Sequence, residues 1–465
     1  MAFSSVVFVC FFLPAVCLLN WAMPGIRSKN ALLTVASLIF YGFGDPFNLV
    51  LLLASVLCNY TAGLLVTGRR RRLFLALAVA FNLGLLAFYK YLGFFAANLN
   101  ALLGAQLPVP QITLPIGISF FTFQGLSYVI DVYREPDLQT SSFFDVLLYI
   151  CLFPQLVAGP IVKYRDIARE IRVRRATLPE TAQGLRRFVL GLSKKLLIAD
   201  TMAGVADTVF GLDAAFLDIR LAWLGAVAYT LQIYFDFSGY SDMAIGMGWI
   251  FGFHFKENFD HPYASTSVKM FWRRWHISLS SWFRDYLYIP LGGNRRGRWR
   301  TYANKLLVFF CTGLWHGANW TYVVWGLWHG AFLVAEDRLL PVQRLGRRWR
   351  WVGWLYTLLV AVVGFVFFRA ASLEQAGAII GRMFTGFSFT VEGSAALAGL
   401  IDPLHLAVLA LGCVVSLPVL DKLRALSAKH PVLERLSYPA TLALYGLDVM
   451  HLAAASFVPF IYFQF

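Results

Sequence analysis

Residues 271–293 read FWRRWHISLSSWFRDYLYIPLGG and residues 311–332 read CTGLWHGANWTYVVWGLWHGAF, with a basic loop between them. The two blocks hold three Trp-His pairs: Trp275-His276, Trp315-His316 and Trp328-His329. Titratable groups set among so many aromatic residues are costly at membrane depth, and where they occur they mark a site. The chemistry of the chain is expected here.

Working outward, the 465 residues are 59% hydrophobic and only 14% charged, with a mean hydropathy of +0.64. That composition excludes an ordinary soluble domain and reads as an all-α polytopic membrane protein. At about 20 residues per span, the apolar runs suggest roughly eleven to fourteen hydrophobic helices, re-entrant ones included. The net charge of +15 does not point to nucleic acid, because no basic helix is interleaved with exposed aromatics. The positive residues gather instead at Arg69–Arg72, Arg172–Arg175, Arg295–Arg300 and Arg344–Arg350, which read as cytoplasmic loops facing anionic membrane lipid. Arg27 and Lys29 follow the first apolar run, which lacks the marks of a cleavable signal and favours an outward N-terminus. The six cysteines lie mostly in apolar runs without CxxC spacing, so small core residues are expected rather than disulfides or a zinc site.

No repeat or low-complexity linker divides the chain. A single integral domain over 1–465 is expected, with N-terminal helices to 110, a catalytic core over 111–340 and C-terminal helices over 341–465. In LPIGISFFTFQGLSYVIDVYR (114–134), Thr122, Gln124, Ser127 and Tyr128 sit within an aromatic segment and should face protein or a cavity. Asp145–Lys163 is interrupted by Pro154 and Gly159-Pro160 and reads as kinked or re-entrant. Lys194 and Lys195 can snorkel to the interface, whereas Asp200 lies deeper. Asp236 pairs in spacing with Tyr240, and reads equally as a site residue or as a buried carboxylate bonded to helix ends.

A helix over Val268–Leu287 would put Arg273, His276, Ser280 and Arg284 on one polar stripe facing inward. His316 has glycines on both sides, which permit close approach of a backbone or ligand. An unbroken helix from Gly313 would set His329 about 220° round from His316, so a break near Gly317–Asn319 is expected, with His316 at the centre. A histidine in a dry aromatic pocket stays neutral and can take a proton from an attacking hydroxyl, and a second can steady the developing charge. Two other readings stay open. His276, His316 and His329 form a metal or haem site, although no carboxylate or Cys completes it at useful spacing, or they are interfacial histidines bonded to backbone carbonyls.

The motifs YFDFSGYSDMAIG (234–246), NFDHPYASTSVKMFWRRWHISLSSWFRDYLYIPLGGNR (258–295) and GLWHGANWTYVVWGLWHG (313–330) resemble those of the membrane-bound O-acyltransferase superfamily. LFPQLVAGPI (152–161) and the terminal PFIYFQF support its polysaccharide-acetylating, alginate-type branch. The D-alanyl transferases of teichoic acid synthesis are similar through the central motifs. The resemblance implies a helical bundle pierced by a funnel or tunnel, with His316 as catalytic residue and His276 in support. Asp236, Asp200, Arg273, Ser280, Arg284, Trp315, Asn319 and His329 are the expected cavity-lining or supporting residues, with no metal and no tightly bound cofactor. It implies a bacterial inner-membrane enzyme that takes an acyl group from a cytoplasmic thioester such as acetyl-CoA. The group would reach an extracytoplasmic polysaccharide through a periplasmic SGNH-hydrolase-like partner. Arg295–Arg300 or Arg172–Arg175 would attract the donor's phosphates. Peptidoglycan O-acetylation is an alternative of the same class. A glycan or lipid transporter would show two related halves, and none is seen; a scaffold would need no titratable groups at helix depth.

Overall fold

A computed structural model describes residues 2–104, 106, 108–340, 342, 346–419, 421, 430–454 and 460. Of the PFIYFQF motif only Phe460 is among them. Regular structure is helical throughout, with no strand among the described residues. The chain divides into two compact units. One comprises the stretch ending at Phe188 together with Tyr240–Glu257; the other comprises Val189–Gly239 and the chain from Asn258 onward.

In the first unit, the helix Ile118–Arg134 is buried on nearly every side. Two of its polar side chains are bonded within the protein, while Thr122 Oγ1, Gln124 Oε1 and the Tyr128 hydroxyl are buried without a hydrogen bond. Gln124 donates to the carbonyl of Gln155 at 3.3 Å, and Ser127 Oγ lies 2.8 Å from the Tyr149 hydroxyl. Gly125 and Gly63 have no Cβ because Asn59 and the Tyr128 ring occupy that space. Helix Phe143–Cys151 starts on a Ser142 cap, stops at Leu152 and gives way to the single turn Phe153–Leu156 and an irregular run to Lys163. Residues 146–164 are all buried, so this broken backbone is enclosed by protein, the condition under which such segments are tolerated. Phe47 in the turn before Leu49–Leu65, and Val50, Phe95 and Leu102 of the neighbouring helices, are largely exposed, as a lipid-facing surface requires.

Among the described residues, two helical stretches, Arg71–Leu103 and Arg350–Arg369, are long and apolar enough to cross a membrane; a third follows if Val391–Leu400 and Pro403–Val415, bent by 70°, form one broken span. These are continuous spans only, whereas the expected eleven to fourteen hydrophobic helices include re-entrant and broken ones. The difference is physical: Phe8–Ala22 and Leu49–Leu65 are apolar but short, and other apolar runs are cut by turns or carry buried polar side chains within their helices. The cysteines form no disulfide among the described residues, and only Cys151 is fully buried.

The second unit holds a hairpin of Arg298–His316 and Trp320–Arg338. The pair packs through glycines: a Cβ on Gly326 would stand 2.2 Å from the Phe309 carbonyl, and one on Gly313 would stand 2.3 Å from that of Tyr322. Helix Arg350–Arg369 lies against the hairpin, where Val360 accepts a hydrogen bond from Trp328 Nε1 at 2.9 Å. At the start of the first arm, Asn304 Nδ2 donates to the Gly293 carbonyl at 2.9 Å and ties down the Gly292-Gly293 turn.

Candidate active site

The expected continuous helix over Val268–Leu287 is not formed. Val268–Arg274 ends at an extended Trp275; His276 takes a left-handed backbone (φ 43°), and Ile277–Phe283 starts anew before a π-helical turn at Arg284–Tyr288. Asn258 makes this break. Its carbonyl oxygen accepts from Ile277 N–H at 2.9 Å, and its Oδ1 accepts from Ser278 N–H at 3.2 Å and Ser278 Oγ–H at 2.8 Å. The same Oδ1 lies 3.1 Å from His276 Nδ1. An amide oxygen can only accept, so it fixes the tautomer with the proton on Nδ1 and the basic lone pair on Nε2. A left-handed non-glycine residue costs on the order of 1–3 kcal/mol and is held only where surroundings over-determine it. At the front of the motif, the buried Glu336 carboxylate accepts from the Val268 and Lys269 N–H groups and anchors the first short helix.

His316 is the last residue of its helix; Gly317 is extended, and Asn319 caps the next helix by accepting from Thr321 N–H at 3.1 Å. The expected break near Gly317–Asn319 is therefore present. Gly317 lacks a Cβ because the Tyr322 ring fills the place. His276 and His316 are both buried, with ring centres 6.4 Å apart. The Trp315 ring stands 5.9 Å from His276, and Phe237 meets His276 edge-on at 4.6 Å. Trp325 and Phe368 close the other side of His316 at 5.0 and 5.1 Å. An imidazole pair in an aromatic box of this kind suits proton transfer to and from a bound hydroxyl.

His329 lies beyond Trp325, whose ring is 5.4 Å from it. It stacks on Phe271 at 6.0 Å, meets Trp272 at 5.2 Å, and faces Gly364, where a Cβ would come within 2.8 Å of Nε2. It is separated from the His276-His316 pair by the Trp325 ring. Among the described residues no group of His, Cys, Asp or Glu is arranged to hold a metal ion.

The remaining expected residues scatter. Arg273 is exposed, and Arg284 is bound by its neighbour Asp285 at 2.8 Å, so neither shares an inward stripe with His276. Ser280 N–H donates to the His276 carbonyl as part of the restarted helix. Asn319 donates to the Ala371 carbonyl at 3.1 Å besides its capping role. Asp200 and Asp236 do come together, through Lys195, which reaches them at 2.7 and 2.6 Å. Lys195 is only 2% exposed, so it does not snorkel, and its ammonium is paired with Asp236. Ser193 donates to the buried Asp448 at 2.7 Å on the same side of the unit. Asn258, Phe368 and Glu336 were not singled out by spacing, since each acts across a long sequence separation, and Trp325, nine residues from His316, carries no polar signal of its own.

Residues 118–375, more than half of the chain, match the membrane-bound O-acyltransferase family. The chain belongs to that family. It is 41% identical to the probable alginate O-acetylase AlgI of Pseudomonas putida over the whole of both chains. It is 36% identical to the peptidoglycan O-acetyltransferase of Helicobacter pylori over 80% of this chain and 78% of that one. The teichoic acid D-alanyltransferase of Bacillus subtilis is 28% identical over 54% of this chain. As a member of the membrane-bound O-acyltransferase family, the protein is an O-acyltransferase with a membrane setting, and the helix break at His316 lies inside the matched region.

Proposed function

We propose that this protein acetylates an extracytoplasmic, alginate-like polysaccharide from the bacterial inner membrane. The acetyl group would come from a cytoplasmic thioester, acetyl-CoA or an acylated carrier, pass through a central funnel or tunnel, and reach the sugar by way of a periplasmic SGNH-hydrolase-like partner. The observation that carries the reading is the facing pair His276 and His316 at two backbone stops within one aromatic enclosure. The full-length likeness to a probable alginate O-acetylase favours polysaccharide over a cell-wall polymer as acceptor.

His316 acts as general base: it takes the proton of an acceptor hydroxyl as the oxygen attacks the thioester carbonyl, and returns it to the departing thiolate. His276, its Nδ1 fixed by Asn258, presents Nε2 to the same enclosure and orients the acceptor. Lys195 ties together the helices that carry Asp200 and Asp236. Replacement His316→Ala is expected to abolish polysaccharide acetylation with the protein present in the membrane at its normal level. Near-normal acetyl content in that strain would overturn the assignment. Acetyl analysis of exopolysaccharide and of peptidoglycan from the same cells separates the two acceptors.

A further inference from the structure

The short helix Val268–Arg274 divides two environments. Phe271 and Trp272 turn toward His329. Lys269 and Arg273, one helical turn apart, line a cavity of about 220 Å³ together with Thr266, Ser267 and Arg350. Among the described residues no carboxylate lines this cavity. Lys269 Nζ lies 3.6 Å from Asp337, whose other oxygen is held by Lys305, and among the described residues no ion pair engages Arg273 or Arg350. Lys269 shares Asp337, which leaves the Arg273 and Arg350 guanidinium groups as the cations this hollow offers to an anion.

We propose that this cavity binds a phosphate group and, building on the function proposed above, that the group is the phosphate end of the acyl thioester donor. Guanidinium pairs bind phosphate oxygens in a fork geometry, with hydroxyls such as those of Thr266 and Ser267 completing the set. The volume exceeds the roughly 10–15 Å³ one water needs and falls short of the ~300–1,000 Å³ of a whole ligand pocket, so it takes a phosphate or pyrophosphate and leaves the rest of the donor outside. A coenzyme A thioester carries its phosphates at the end remote from the acyl group. Anchored here, it keeps that group on a long flexible arm. The basic runs Arg172–Arg175 and Arg295–Arg300 are then a general attraction, and the specific contact is made by Lys269, Arg273 and Arg350.

The test uses the full-length protein in detergent, with coenzyme A binding followed by calorimetry at low salt. Arg273→Gln and Arg350→Gln should each raise the dissociation constant by about tenfold or more, the worth of one charge-assisted contact, with Arg273→Lys closer to wild type. His316→Ala should bind coenzyme A as wild type does, so loss of the catalytic assignment and loss of the anion site are read separately. Parallel binding to phosphatidylglycerol vesicles, against neutral vesicles, covers the lipid source. Unchanged coenzyme A affinity in both glutamine variants would overturn the proposal, and a loss confined to phosphatidylglycerol vesicles would overturn the donor assignment.

Discussion

His276 and His316 face each other at 6.4 Å although neither stands mid-helix: one precedes a helix and the other ends one. Two chain stops bring the imidazoles together, where a helix face would have carried them past one another. The residues that enforce those stops are therefore as sensitive as the histidines.

Asn258 is the first of them. Asn258→Leu removes the Oδ1 that serves Ser278 and His276, and leaves buried donors unmet at a cost of about 1–3 kcal/mol. Melting temperature and acetylation should both fall, while Asn258→Asp, which keeps the acceptor, should be the milder change. Wild-type acetylation in the leucine variant would show that the turn does not need this oxygen.

The glycine interface of the hairpin is the second. Gly326→Ala puts a methyl 2.2 Å from the Phe309 carbonyl, and backbone rather than a flexible side chain must yield. Overpacking of this kind costs about 1–3 kcal/mol. Gly377→Ala, on Leu373–Thr385 with open space around it, is the control and should melt as the parent does. Equal melting of the two variants would refute tight packing at Gly326.

Lys195→Met strands two carboxylates at low exposure, and breaking a buried pair in this way costs about 3–5 kcal/mol. The protein should accumulate poorly in membranes. Adding Asp236→Asn removes one stranded charge and should recover part of the loss. No difference between Lys195→Met and the double variant would argue against a direct pairing.

His254 gives a pH dependence. Burial pulls its pKa down, but the Glu170 contact at 2.8 Å and the nearby Glu180 outweigh that and raise it above the ordinary 6.5. A raised folded value stabilises the fold fully below the unfolded pKa, and that contribution is lost as pH rises through the folded value. Relative to His254→Gln, the wild type should gain melting temperature at pH 6 and lose the advantage above neutrality. A difference independent of pH would remove histidine protonation as its cause.

Polar residues among aromatics made the burial of 118–134 legible, and Gly317 with Asn319 marked the stop after His316 because both residues signal a helix end locally. The stop at His276 carried no such mark. WRRWHIS contains neither Gly nor Pro, and the left-handed turn is imposed by a side chain from outside the helical pattern. The stripe of Arg273, His276, Ser280 and Arg284 failed for that reason. Lys195 read as a snorkelling residue because one of its two carboxylates, Asp236, lies on a distant helix. Hydropathy gave apolar runs and not continuous spans, since an apolar run does not reveal where a helix inside it ends.

The three-residue link between Arg298–His316 and Trp320–Arg338 has a consequence for biogenesis. Neither helix is among those apolar and long enough to cross on its own, yet their glycine-lined faces fit backbone to backbone. The two should enter the membrane as one inserted body, the second arm shielding the first arm's backbone as it leaves the ribosome. A nascent chain stopped at Ala318 should stay accessible to added protease, and one extended past Arg338 should become protected; equal accessibility would rule out paired entry. On this route His316 reaches its enclosure only after Trp325 has been synthesised, so the enclosure around this imidazole is assembled by the same event that seats the hairpin.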